Sequence, residues 1–84
     1  MEEQIKIATW LNDKILLEGC VYQSDAVQEI IEKFGDEFSY INENGNPAID
    51  ADVLREFRKI KDKNIEWDRQ EFFWCVIDND GSLE

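Results

Sequence analysis

The sequence predicts a single α+β domain, three helices with a small antiparallel sheet that ends in a C-terminal β-hairpin. Three observations carry this expectation. Apolar residues recur at helical spacing in three separate segments. The stretch from Ile65 to Ile77 is rich in aromatic and β-branched residues and alternates in its first half, as a strand does. Finally, 43% hydrophobic residues and ten aromatics in a chain of 84 are enough for one modest core and argue against disorder.

The first helix is expected from about Glu3 to Glu18, where Ile7, Ala8, Leu11 and Ile15 share one face and Gly19 supplies the stop. Trp10 and Leu17 form a second stripe, read either as the margin of a broad buried face or as a partner-binding ridge. Cys20 to Gln23 suits a short strand whose natural partner is the hairpin. Asp25 and Gln28 have capping-box spacing, with Ser24 as an alternative cap. They open a second helix through Ala26, Val27, Ile30, Ile31 and Phe34, closed by Gly35.

Asp36 to Ile41 fits a short strand, a turn of helix or an ordered loop, and Asn42 to Pro47 is a turn cluster. Phe38, Tyr40 and Ile49 are expected to anchor this excursion. Asp50 then caps a third helix, residues 51–61, that buries Val53, Leu54, Phe57 and Ile60. In the hairpin, a loop centred on Arg69 and Gln70 sets residue 67 opposite 72, 65 opposite 74 and 63 opposite 76. Ile65, Trp67, Phe72, Trp74 and Val76 then share a core face. The other face holds Asn64, Glu66 and Asp68 on one strand and Phe73, Cys75 and Ile77 on the next. The domain is expected to span residues 1–78, followed by a polar tail, 79–84. Helix, short strand, helix, turn, helix, hairpin is the order of a winged helix, so a winged-helix-like arrangement is expected by analogy.

A more specific likeness rests on Trp10-Leu11, Val21-Tyr22-Gln23-x-Asp25-Ala26, Glu32-Lys33-Phe34-Gly35-Asp36-Glu37-Phe38, Tyr40-Ile41-Asn42-x-Asn44-Gly45-Asn46, Ala48-Ile49-Asp50, Val53-Leu54-x-Glu56-Phe57-Arg58-Lys59 and Trp67-Asp68-Arg69. From about Ile7 to Trp74 the chain resembles a small uncharacterised bacterial family associated with mobile integron gene cassettes. The resemblance implies a shared winged-helix-like fold and no assigned activity. Cys75 and Ile77 depart from the basic residues expected of relatives at those positions.

The net charge is −11, from 20 acidic and 9 basic residues with no His, which disfavours general binding to nucleic acid or anionic membrane. The charge is lopsided, because residues 55–69 carry six basic side chains against four acidic ones. With no His, and with Cys20 and Cys75 lacking a metal-ligand spacing or an activating base, neither nucleophilic catalysis nor a cofactor or metal is expected. The calcium-loop frames around Gly45 and Gly81 fail, the first for want of carboxylates at its ends and the second because the chain stops short of its twelfth position. The cysteines are expected to be reduced thiols. The acidic N-terminus has no signal or spanning segment, and a cytoplasmic protein is expected.

The functional expectation is a small acidic protein-interaction module without catalytic activity, with Tyr22, Phe73, Cys75 and Ile77 as an apolar open sheet face suited to self-association and Trp10 and Leu17 as a second contact. One alternative is a DNA-binding regulator that uses helix 51–61 and the wing, with Arg55, Arg58, Lys59, Lys61, Lys63 and Arg69 on the backbone. Another is an acidic DNA mimic that presents Asp25, Glu29, Glu32, Asp36 and Glu37 to a basic partner.

Overall fold

A computed structural model describes residues 2–77; the expected polar tail lies outside the described residues. Helix α1 spans Glu2–Glu18, strand β1 Cys20–Tyr22, α2 Gln23–Phe34, β2 Ser39–Ile41, β3 Pro47–Ile49, α3 Ala51–Ile60, β4 Ile65–Asp68 and β5 Phe73–Val76. The α+β architecture expected from the sequence is therefore present. β1, β5 and β4 form an antiparallel sheet in that order, with β5 central, and β2 pairs with β3 in a separate hairpin.

Each helix buries the stripe its periodicity marks. Ile7, Ala8, Leu11 and Ile15 of α1 are fully buried, as are Ala26, Val27 and Ile30 of α2 and Val53 and Phe57 of α3. With Val21, Phe38, Ile49, Ile65 and Trp74 they make one cluster. Burying an aliphatic or aromatic side chain of this size is worth roughly 1.5–3 kcal/mol. Several expected core positions lie outside it. Ile60 falls in the last turn of α3 and is 41% exposed, while Ile31 and Tyr40 are also exposed, because each sits past the line along which its element meets the cluster.

The ends of the helices are set locally. Gly19 and Gly35 have φ of 89° and 104°, which a side chain would resist, and their amides donate back to Ile15 and to Ile30 and Ile31. Asp50 caps α3 by accepting from the Asp52 N–H at 3.2 Å. The Asp25 capping box does not operate: α2 starts three residues earlier, after an extended Tyr22 that offers no side-chain cap. The Gln23 N–H donates instead to the Phe72 carbonyl at 2.8 Å, so strand pairing fixes the helix start. The ambiguous segment after Gly35 divides into a 3-10 turn at Asp36–Phe38 and then β2. Its turn is held by the Asn42 side chain, which accepts from the N–H groups of Asn44 and Asn46, both at 3.0 Å.

The hairpin register differs from the expected one by a two-residue slip. Ile65 pairs with Val76 and Trp67 with Trp74. Asp68 decides this, since its carboxylate accepts from the Gln70 and Glu71 N–H groups and its carbonyl accepts from the Phe72 N–H. The loop is thereby centred one residue later. A slip of two keeps every paired residue on its face, so Ile65, Trp67, Trp74 and Val76 still share one side. Phe72 leaves it: it is a loop residue with φ 63°, the one non-glycine at positive φ among the described residues.

Candidate functional site

The period-2 alternation that buries one face of the three-stranded sheet exposes the other. Val21, Ile65 and Trp74 point toward the helices, with Phe57 of α3 edge-on to Trp74 at 5.7 Å. On the reverse side, Cys20 is opposite Cys75 and Tyr22 opposite Phe73, with Glu66 and Asp68 next to them across β5. Tyr22 is 49% exposed and meets the Phe73 ring edge to face at 5.2 Å. Ile77 extends this side and is also exposed, its N–H held by the Asn64 carbonyl.

The cysteines are not the free thiols expected. Cys20 and Cys75 form a disulfide, with their Cα atoms 4.1 Å apart. The flanking bonds, Val76 N–H to Gly19 carbonyl and Gln23 N–H to Phe72 carbonyl, mark positions 19 and 76 and positions 23 and 72 as hydrogen-bonded pairs. Alternation then makes 20 and 75 a non-hydrogen-bonded pair, the kind in which facing side chains lie closest. Residues 55 apart in sequence are thus brought into bonding position by the strand register. The disulfide sits on the open face beside Tyr22 and Phe73.

Trp10 and Leu17 belong to a different surface. Trp10 packs against Phe34 of α2 at 6.0 Å, which makes it part of the α1–α2 contact. Leu17 is 85% exposed and borders a shallow depression with Trp10, Lys14 and Glu29. Lys14 bridges Glu18 at 2.8 Å and Glu29 at 2.6 Å, and its pKa is raised, chiefly by the hydrogen bond to Glu18 and then by that to Glu29. Glu29, one of the five carboxylates of the mimic reading, is therefore already paired.

The six candidate nucleic-acid cations are divided by their surroundings. Arg55 pairs with Asp52 at 2.9 Å and Lys59 with Glu56 at 3.5 Å, within α3 itself. The Lys61 ammonium donates to the Ile65 carbonyl at 3.0 Å. Arg58 has no ion-pair or hydrogen-bond partner among the described residues and borders a cleft between α3 and the hairpin together with Lys61. Lys63 is an exposed turn residue between α3 and β4, and Arg69 is exposed in the hairpin loop. That cleft, with the buried Gln23 on its wall, carried no signal in the sequence, because it forms between elements far apart in the chain.

No group of three or more His, Cys, Asp or Glu side chains is arranged to hold a metal ion among the described residues. Nor is any of their helices long and apolar enough to cross a membrane. The chain belongs to a family of unknown function (DUF6953), whose sequence model matches residues 3–76. No curated protein and no solved structure matches it.

Proposed function

We propose that this member of the family is a non-catalytic protein-interaction module of winged-helix-like arrangement that self-associates through the open face of its three-stranded sheet. The observation that carries the reading is the Tyr22–Phe73 aromatic pair on the reverse face of the sheet, where Tyr22 is 49% exposed and Phe73 half-buried. Sheet order β1-β5-β4, with the helices on one side, supports the winged-helix-like comparison. On the resemblance alone, we propose an association with mobile integron gene cassettes.

A second copy suits this face because an isologous contact lets Tyr22 and Phe73 of one chain meet Phe73 and Tyr22 of the other. Glu66 and Asp68 flank the pair, so each copy brings like charge to the rim, and a chain of net charge −11 repels its twin at long range. Added salt screens that repulsion without weakening the apolar contact. Sedimentation velocity across a concentration series tests the reading: a dimer is expected, lost in Phe73→Ser and Ile77→Ser with little change in unfolding midpoint. A monomer at high concentration, with both variants losing stability instead, overturns it.

The DNA-binding alternative is less well supported, since two of its six cations are neutralised within α3. It predicts salt-sensitive retardation of duplex DNA that charge reversal at Arg58 and Lys59 weakens. The mimic reading likewise loses Glu29 to Lys14. The expected cytoplasmic location is the part of the reading that the Cys20–Cys75 cross-link weighs against, because disulfides persist mainly in oxidising compartments. Thiol trapping in the native host decides between the two settings.

A further inference from the structure

We propose that the cleft between α3 and the β4–β5 hairpin is a binding site for a small planar aromatic carboxylate. Its volume is about 270 Å³, at the small end for ligand pockets and suited to one or two fused rings. Leu54, Phe57, Trp67 and Trp74 supply the apolar wall, with the two indoles 4.7 Å apart and tilted by 47°. Trp67 shares the core face of the hairpin and meets Phe72 and Trp74, yet it is 41% exposed, so part of its ring lies open beside the cleft.

The charge around the cleft selects an anion. On α3, Arg55 and Lys59 do not line it and each is neutralised by a carboxylate one turn back. The two cations that border it, Arg58 and Lys61, have no carboxylate partner among the described residues. Lys61 is anchored by the Ile65 carbonyl and retains two N–H donors, while the guanidinium of Arg58 can grip a carboxylate with two parallel bonds. In a chain of net charge −11, two such cations on one apolar cleft are a local exception.

The second, independent observation is Gln23. It is the one buried polar residue among those described, 9% exposed, and it lines this wall with an amide that is not sealed from solvent, since no fully buried side-chain polar atom among the described residues lacks a partner. Its backbone is fixed by the bond to Phe72, and its side chain borders this cleft and a neighbouring depression beside Tyr22 and Pro47. An amide offers a donor and an acceptor to the polar edge of a heteroaromatic ring, whereas the rims of Arg58 and Lys61 receive the acid.

Titration of the whole protein with indole-3-acetate, followed by the three indole N–H resonances in proton–nitrogen correlation spectra, tests the proposal. Those of Trp67 and Trp74 are expected to shift saturably, with an apparent Kd of about 1 mM or tighter, while that of Trp10 stays in place. Arg58→Gln, an exposed change that leaves the fold intact, is expected to weaken binding by about fivefold or more. Neutral indole should bind as weakly as that variant binds the acid, and cyclohexaneacetate should barely bind. The proposal is overturned by shifts that do not saturate at about 10 mM, by indole or cyclohexaneacetate binding as tightly as the aromatic acid, or by an unchanged Kd in Arg58→Gln.

Discussion

On one side of the three-stranded sheet Val21, Ile65 and Trp74 lie beneath α1 and α3; on the other, a half-exposed Tyr22 meets a half-buried Phe73 edge to face beside a disulfide. Both sides are apolar at their centre, so hydrophobicity alone does not decide which is covered. The helices decide, because their broad stripes match the side on which all three strands contribute apolar residues. The reverse side has β4 carboxylates along one margin, Glu66 and Asp68, and a helix laid over them would leave those charges desolvated. One side therefore carries stability and the other is free to carry recognition.

Substitutions on the two sides should separate these roles. The largest effect is expected at Phe57, which is buried against Trp74: Phe57→Ala should cost about 3–5 kcal/mol in denaturant unfolding through cavity formation. A Phe57→Ala protein that unfolds at the parental midpoint would break the comparison from the covered side.

Next in size is the cross-link. Closing a loop between positions 55 apart restricts the unfolded chain, so reduction, or the double change Cys20→Ser and Cys75→Ser, should lower stability by roughly 2–4 kcal/mol. Equal unfolding curves with and without reductant would show that β1 is held by pairing and packing alone.

A smaller effect on stability, with a large one on association, is expected on the open side. Tyr22→Ser should lower unfolding stability by less than about 1 kcal/mol, as surface changes do, yet shift the sedimentation profile toward monomer. Raising salt should shift the parental chain toward dimer. If salt dissociates it, the contact is electrostatic and the division between the sides needs revision.

The smallest effect belongs to Lys14, remote from both sides of the sheet. Its folded pKa is raised above 10.5 by Glu18 and Glu29, so its contribution to stability is fully present below that unfolded value and lost as pH rises through the folded one. Lys14→Met should flatten the decline in melting temperature above about pH 10.5. An unchanged alkaline decline would assign it to other groups.

Much of this was legible in the sequence because it is local. The stripes Ile7-Ala8-Leu11-Ile15 and Val53-Phe57 are set by the helical repeat, the Asp50 cap by a residue type two positions before its donor, and the sides of the hairpin by a parity that a two-residue slip leaves untouched. The candidate surface was legible to the same extent. Tyr22, Phe73 and Cys75 share a side by parity, and Trp10 and Leu17, expected as a separate contact, border a depression on the α1–α2 surface. The expected burial of Ile60 and the expected Asp25 cap failed where the chain's neighbours outweighed its own pattern.

By itself, then, the sequence determined the order of elements, the stripe each helix buries and which residues of a strand travel together, since these follow from backbone geometry over a few residues. Only the tertiary structure decided that Cys20 faces Cys75, that Gln23 is buried at the wall of a cleft, and that Arg58 and Lys61 border that cleft beside Trp67 and Trp74. Each of those depends on the closure of β5 against β1 or the seating of α3 on the sheet, contacts between segments tens of residues apart that no local repeat encodes.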